Sequence, residues 1–287
     1  MKLSDFIASL CRCACCVVAI VSTSANVATA IAQEDGSLYG IDRGTLVEID
    51  RDQQAITPVG ATGFTVGGLA YDDSSMTLFG VDSVGGQLLS IDVGSGQAQV
   101  VGATGFDGLV SLAYVPRENA LYSVSTTSAG PDPLVRIDPS TGVGESVGST
   151  GFDGFGGLVY DPLAEILYGA GSPQTSFQEE LVQIDVSSGA VISLGTLALD
   201  NIDGLTFDPV NGVLIASEVR LPDILSGALQ SSIFDLDTEN GATAQSIVYP
   251  LRGITALTII PDAIPEPGSG CVLMLGLTAA FLSRRRR

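Results

Sequence analysis

A pattern of two short segments recurs along this chain and restricts it to a repeat architecture. In its clearest copy, Gly157–Pro162 (GLVYDP) is followed after a short gap by Leu167-Tyr168-Gly169. Units of 40 to 50 residues that cannot bury their apolar face alone fold by stacking on one another. Because the repeat covers nearly all of the 287-residue chain, we expect it to form one closed domain. Near copies of the first segment start at Gly68, Ser111, Gly204 and Ala256.

The spacing of the copies defines four strands per unit, which we label A to D in chain order. The leucine of A precedes the leucine of B by nine residues in each complete unit, whereas the repeat lengths are 43, 46, 47 and 52. The B–C loop accounts for this growth, since its lengths of 5, 8, 9 and 14 residues increase by the same steps. Four short strands in a unit of this length are typical of a β-propeller blade.

The two ends of the repeat region are incomplete in complementary ways. Strands B, C and D occupy residues 38–59 without an A strand, and a lone A strand occupies 256–260. We predict an all-β, five-bladed β-propeller of four-stranded blades, closed by strand 256–260 pairing with the N-terminal blade, which removes free sheet edges. An open solenoid is the alternative, although it gives no reason to start and stop within a unit.

The repeat resembles the secreted bacterial propellers of the NHL or quinoprotein-like kind across residues 36–261. This is a resemblance of architecture, and fold alone does not determine function. It carries over no catalytic residue and implies no cofactor.

The N-terminus has the three-part order of a secretory signal peptide, with a short hydrophobic helix. Lys2 and Arg12 precede an apolar run, and small residues lead to Ala30-Ile31-Ala32. This order predicts cleavage after Ala32, residues 1–32 as the signal peptide, and the Sec export machinery as a partner. A retained membrane anchor is the alternative. The cysteines lie only in the two terminal segments, so the body between them cannot hold a disulfide.

The C-terminal residues 263–287 combine a Pro-Glu-Pro sequence, an apolar run over 271–282 and a cluster of arginines. This order resembles the PEP-CTERM sorting signal. The resemblance implies a Gram-negative-type bacterium, a transmembrane helix over about 271–283 that holds the protein in the inner membrane at least transiently, and cleavage by an exosortase. It further implies delivery to the cell surface or an extracellular matrix; an anchor that is never cut is the alternative. The sorting residues are Pro265, Glu266, Pro267, Arg284, Arg285, Arg286 and Arg287.

Residues 33–262, the predicted propeller domain, are strongly acidic and poor in catalytic side chains. Between residues 33 and 263 there are 30 Asp and Glu against six Arg, and the chain has no His. Such a surface repels phosphate backbones, which excludes nucleic acid as a partner, although the acid also serves to keep an exported protein soluble. Without His, Lys or Cys in the domain, Ser-His-Asp, Cys-His, Schiff-base and His-metal chemistry are excluded.

Aspartates repeat at the turns between strands C and D, at Asp92, Asp138, Asp185 and Asp237. A carboxylate that accepts backbone N–H groups of the turn explains this spacing. Calcium ligation is the alternative, and the sequence otherwise indicates no cofactor.

The candidate binding face is the one on which the B–C and D–A connections are expected to emerge together. Asp107, Asp153 and Asp203 lie just before the inner strand of their blades, where they would bind a cation or sugar hydroxyls at the channel mouth. Turn capping is the alternative for these residues. Arg220 and Asp223 lie in the longest B–C loop, 219–232, which is either a binding loop or a tolerated insertion.

These features favour an exported, surface-anchored or extracellular-matrix propeller that acts as a noncatalytic binding or structural module. Its expected ligand is an extracellular glycan or protein. The alternative is a carboxylate-dependent glycosidase of the five-bladed type, because that reaction needs only an acid and a second carboxylate. A passive spacer is the third possibility, and the sequence alone does not decide whether the protein is an enzyme.

Overall fold

Short β-strands make up nearly all of the regular structure in this protein. The only helical element in the described part of the chain is a 3₁₀ turn, η1 (Pro116–Glu118). No helix among the described residues is long and apolar enough to cross a membrane. The predicted signal peptide, 1–32, and the sorting signal, 263–287, lie outside the described residues. The structure, a computed structural model, describes residues 36–126, 132–173, 176, 178–199, 201–223, 228–250 and 252–261.

The strands form five antiparallel four-stranded sheets, each in the order A-B-C-D from the channel outward. The first blade consists of β20 (Ile254–Ile260), β1 (Ser37–Asp42), β2 (Thr45–Asp50) and β3 (Ala55–Ala61). The second consists of β4 (Val66–Asp72), β5 (Thr77–Asp82), β6 (Gln87–Ile91) and β7 (Ala98–Ala103). The third consists of β8 (Leu109–Val115), β9 (Ala120–Ser125), β10 (Pro133–Ile137) and β11 (Gly144–Ser149). The fourth consists of β12 (Phe152–Asp161), β13 (Ile166–Pro173), β14 (Glu180–Ile184) and β15 (Val191–Thr196). The fifth consists of β16 (Ile202–Asp208), β17 (Val213–Asp223), β18 (Ala228–Leu236) and β19 (Thr243–Pro250).

Five hydrophobic cores hold the ring together, one between each pair of neighbouring blades. Both faces of a blade are covered by neighbours, so strands A to C are apolar almost throughout: β9, for example, is buried along its whole length. The outer strands β3, β7, β11 and β15 are mostly exposed or half-buried instead. The core between the fifth and first blades joins Ile215 and Ile233 to Leu38 and Leu257, which closes the circle.

The closing strand β20 pairs antiparallel with β1, with Ser37 opposite Ile260 and Gly40 opposite Leu257. The predicted five-bladed closure is therefore confirmed, and the open solenoid is wrong. The strand begins at Ile254, two residues before the predicted start. The Arg252 guanidinium lies 2.8 Å from the Asp42 carboxylate, and Arg51 pairs with Asp235 of the fifth blade. Both ion pairs reinforce the junction.

Glycines in the outer strands let each blade approach the next one closely. A Cβ atom at Gly102 would lie 2.0 Å from the carbonyl oxygen of Thr141, in the C–D turn of the following blade. A Cβ at Gly60 would meet the Ser95 carbonyl at the same distance. A Cβ at Gly148 or Gly195 would come within 2.4 Å of the corresponding turn carbonyl. The repeated glycine is therefore a packing requirement between blades.

The longest B–C connection is mainly a β-hairpin. The sequence predicted a 14-residue loop over 219–232. In the structure β17 continues to Asp223 and β18 begins at Ala228. The ladder continues because Val219 pairs with Ser231 and Arg220 with Gln230. Most of the inserted length has thus become a projecting ribbon on the candidate face.

Candidate functional site

Hydrogen bonds join the B–C and D–A connections of each blade on one face, which we call the loop face. The Thr104 backbone N–H donates to the Gly86 carbonyl at 2.9 Å, and its hydroxyl donates to the same oxygen at 2.8 Å. Thr62, after the first blade, makes the equivalent two bonds to the Gly44 carbonyl, and Thr150, after the third blade, makes them to the Asp132 carbonyl. Gly105, after the threonine, has a φ of +81°, which glycine adopts without strain.

A polar pocket of about 410 Å³ lies on the loop face between the fourth and fifth blades. Exposed Asp153, near the start of β12, contributes a carboxylate to it. Hydroxyl groups, an amide and a second carboxylate complete a lining that can both donate and accept hydrogen bonds. The lining residues are Asp153, Gly154, Ser172, Pro173, Ser176, Glu179 and Asn201.

Glu179 is a buried residue of this pocket that sequence reasoning missed. Its carboxylate accepts the Ile202 backbone N–H at 3.1 and 3.0 Å, so it orients the start of β16. Asp132 accepts the Gly154 N–H at 2.8 Å, and Ser231 accepts the Ile254 N–H at 2.7 Å, in the same way. All three polar residues stand two positions before the first buried apolar residue of strand C. Aligning the units on strand C would have revealed them.

Asp203 lies beside this pocket, in β16, and is half-buried. Its Oδ2 atom accepts a hydrogen bond from the Asn201 side-chain amide at 2.8 Å and one from the Val219 N–H at 3.0 Å. Burial raises the pKa of Asp203 to about 6, with a smaller contribution from the charge of Glu218, against the effect of the two hydrogen bonds. This carboxyl therefore titrates close to neutral pH.

The other predicted candidates occupy different parts of the loop face. Asp107 is exposed before β8, and its backbone carbonyl accepts the Ser125 hydroxyl at 2.7 Å. Arg220 is exposed on the projecting ribbon, with Nη2 2.7 Å from the Oε1 atom of buried Glu218. Asp223 ends β17 and stands opposite Ala228. Among the described residues, only Asp153 of the predicted candidates lines the pocket, and Asp203 is hydrogen-bonded to Asn201, another residue of the lining.

The turn aspartates cap their own hairpins. The Asp92 carboxylate accepts the Ser95 N–H and hydroxyl, both at 2.7 Å. Asp138 and Asp185 make equivalent bonds with the serine two residues later. In the described ranges no group of three or more His, Cys, Asp and Glu residues is arranged to hold a metal ion.

The A–B turns and the C–D turns emerge on the opposite face, which we call the turn face. A cavity of about 280 Å³ opens there at the end of the channel, lined by all five inner strands. Five buried leucines narrow the channel above it, and Leu158 is one of them. Because Pro261 also lines this cavity and follows β20, the described chain ends on the turn face.

A family model described as the PEP-CTERM protein-sorting motif matches residues 263–287. The predicted resemblance of the C-terminal segment is thereby confirmed. The motif indicates export, anchoring in a membrane during processing by an exosortase, and then surface display. All seven predicted sorting residues lie within the matched segment. A comparison with curated proteins finds no match.

Among the solved structures similar to this chain, the first two below, with TM-scores of 0.50 or more, support the fold. A chain of a nidogen/laminin complex has a TM-score of 0.55 and 13% identity, covering 78% of this chain and 97% of that one. TolB from Acinetobacter baumannii has a TM-score of 0.50 and 14% identity, with coverages of 79% and 67%. The PQQ-bound aldose sugar dehydrogenase of Streptomyces coelicolor has a TM-score of 0.46 and 14% identity, with coverages of 71% and 92%. At these identities the likeness concerns the fold alone.

Proposed function

We propose that this protein is an exported β-propeller, displayed at the cell surface or in the extracellular matrix of a Gram-negative-type bacterium, that binds an extracellular glycan or protein through its loop face without catalysing a reaction. The polar pocket around Asp153 and Asn201 carries this proposal. Its hydroxyl, amide and carboxylate groups match the alternating donors and acceptors of a sugar or a polar protein surface.

The position of the chain ends supports a display role. Ser37 at the start of β1 stands opposite Ile260 at the end of β20, so the described chain enters and leaves the ring on the turn face. The last described residues of the propeller therefore lie on the face opposite the pocket. The similar chain of the nidogen/laminin structure belongs to a complex of two proteins, which favours a protein partner for a propeller of this architecture.

Binding to the pocket is tested with the propeller domain, residues 33–263, by thermal unfolding in the presence of neutral polysaccharides and of extracellular matrix proteins. A ligand at about 100 times its dissociation constant adds roughly 2.7 kcal/mol of stability. Asp153→Ala combined with Ser172→Ala should abolish the shift. Asp107→Ala removes a carboxylate from the same face outside the pocket lining and is the matched control. Equal shifts in the pocket variant and the control would refute this site.

One observation favours the glycosidase as a second candidate. The pKa of Asp203 is raised by burial to about 6, which suits a general acid, and Glu218 is a carboxylate close enough to contribute to that pKa. Release of reducing sugar from a polysaccharide by the native protein, and its loss in Asp203→Asn, would establish the enzyme. A thermal shift without sugar release supports the binding module.

A further inference from the structure

The cavity on the turn face has an aromatic wall that the proposed function does not use. Each blade contributes to this wall the residue two positions after its buried channel leucine. Tyr114 and Phe207 are buried within the cores between blades, whereas Tyr71 and Tyr160 are half-buried. A concave site with several aromatic residues and a small number of polar groups is typical of small-molecule sites. The wall residues are Tyr71, Tyr114, Tyr160, Phe207 and Ile259.

The rim of this cavity is asymmetric in charge. Four blades place a proline two residues beyond the wall residue: Pro116, Pro162, Pro209 and Pro261. The second blade has Asp73 there, and Asp73 lines the cavity together with its neighbour Asp72. Three blades form the A–B turn with proline at this position, so the turn itself does not require a carboxylate there. Asp73 is therefore not explained by the geometry that the turns share.

Asp72 is a buried carboxylate that stays ionised at the cavity wall. It accepts hydrogen bonds from the Ser74 N–H at 2.9 Å, the Ser74 hydroxyl at 2.7 Å and the Ser75 hydroxyl at 2.6 Å. Burial opposes ionisation, but these bonds outweigh it and lower the pKa of Asp72. Burial and the charge of Asp72 raise the pKa of Asp73, as expected where two carboxylates are adjacent.

No basic side chain balances these two charges among the residues that line the cavity. Arg117, in the turn of the third blade, has its guanidinium 3.0 Å from the Glu165 carboxylate. Within the described ranges, no arginine forms an ion pair with Asp72 or Asp73. The lining of the cavity therefore carries a net negative charge, which favours a cationic ligand over an anionic one.

We propose that the turn-face cavity binds a small organic cation of the quaternary ammonium class, with its charge between the aromatic wall and the Asp72 and Asp73 carboxylates. Aromatic faces attract such cations through the ring quadrupole, and more strongly where water is excluded. Unlike an alkali metal ion, a methylated ammonium also buries apolar surface against the leucines and tyrosines. An anionic ligand is repelled by both carboxylates. This site lies on the face opposite the polar pocket. The cation site and the proposed loop-face binding function can therefore be tested independently.

Choline is a suitable probe because 3,3-dimethylbutan-1-ol has nearly the same shape without the charge. Binding of both compounds is measured by isothermal titration calorimetry on the full-length protein in dodecyl maltoside, and again on residues 33–263. Choline should bind with a dissociation constant in the millimolar range or tighter, and the neutral isostere about tenfold more weakly. Equal binding of the two compounds would overturn the cation site, as would no binding of choline at either length of chain.

Three variants locate the site on the protein. Asp73→Asn should weaken choline binding about threefold or more, because an exposed carboxylate contributes modestly. Tyr160→Leu, which keeps the apolar contact without the aromatic ring, should weaken it about tenfold, whereas Tyr160→Phe should retain most of the affinity. Asp107→Asn, an exposed carboxylate on the loop face outside both cavity linings, is the matched control. If Asp73→Asn and Tyr160→Leu, both folded by circular dichroism, bind choline like the control, the proposed site is wrong.

Discussion

Asp203 provides a direct test of how burial controls charge on the loop face. Its pKa is raised from the ordinary value of 3.8 to about 6, mainly by burial. Ionisation therefore costs about 3 kcal/mol more in the folded protein than in the unfolded chain. Between these two pH values the folded state holds more protons at this residue than the unfolded state, so its contribution to stability decreases as pH rises. Well below pH 3.8 the carboxyl is neutral in both states and the penalty disappears.

Asp203→Asn removes this charge while keeping an oxygen that accepts the hydrogen bonds from Asn201 and Val219. We expect the variant to be more stable than the native protein by only about 0.5 kcal/mol near pH 4, and by up to about 3 kcal/mol near pH 7.5. Urea unfolding of both proteins across this range measures the difference. Other carboxylates titrate in both proteins, so their contributions cancel.

The comparison with Asp203→Ala separates charge from hydrogen bonding. The alanine variant also loses the pH-dependent penalty, but it leaves the Asn201 and Val219 donors without their acceptor at every pH. It should therefore be less stable than Asp203→Asn by about 1 to 3 kcal/mol throughout. A stability difference between Asp203→Asn and the native protein that is the same at pH 4 and 7.5 would refute the role of burial.

Three further predictions concern the ring and its export. Gly102→Ala should destabilise the protein by about 1 to 3 kcal/mol in urea unfolding, because the new Cβ would lie 2.0 Å from the Thr141 carbonyl oxygen. Gly94→Ala is the control, since the nearest contact of its Cβ would be at 3.6 Å, and it should change the free energy of unfolding little. Asp42→Ala removes the carboxylate that pairs with the segment before β20, so it should cost about 1 to 3 kcal/mol and speed proteolysis from the C-terminal end, with an unchanged digestion rate contradicting this role. Deletion of Pro265–Pro267 should leave the protein in the membrane fraction, whereas release of the deletion variant at the native rate would show that this sequence is not the processing site.

The frame of this fold was predictable because the same contacts recur in every blade. The nine-residue spacing from Leu158 to Leu167 reflects one A–B hairpin, and its repetition gives the number of blades. The missing first A strand and the surplus last one indicated the closure that β20 makes with β1. The turn aspartates were also predictable, since capping depends on residues only two or three positions away, as with Asp138 and Ser140.

The sites were less predictable because they depend on which loops meet across blades. Asp153 was identified from its place in the repeat, but Glu179 reaches its pocket from a B–C connection of variable length. The raised pKa of Asp203 depends on burial by neighbouring strands, which no local pattern encodes. The extension of the β17–β18 ribbon was missed because a 14-residue interval between two strands does not reveal whether its residues pair with each other.

The regularity of the ring also offers a way to find functional residues without a known relative. Positions at which all five blades agree, such as the channel leucines, are explained by packing that every blade needs. A position at which one blade departs from the others is not fixed by this shared packing. Its residue is therefore a candidate for ligand binding. Asp73 among four prolines fits this description on the turn face. Glu179 in the polar pocket does not, because Asp132 and Ser231 stand at the equivalent position of two other blades and accept a backbone N–H of the next inner strand in the same way. Asp73 has no such bond in the described structure, and it is therefore the stronger indication of a ligand.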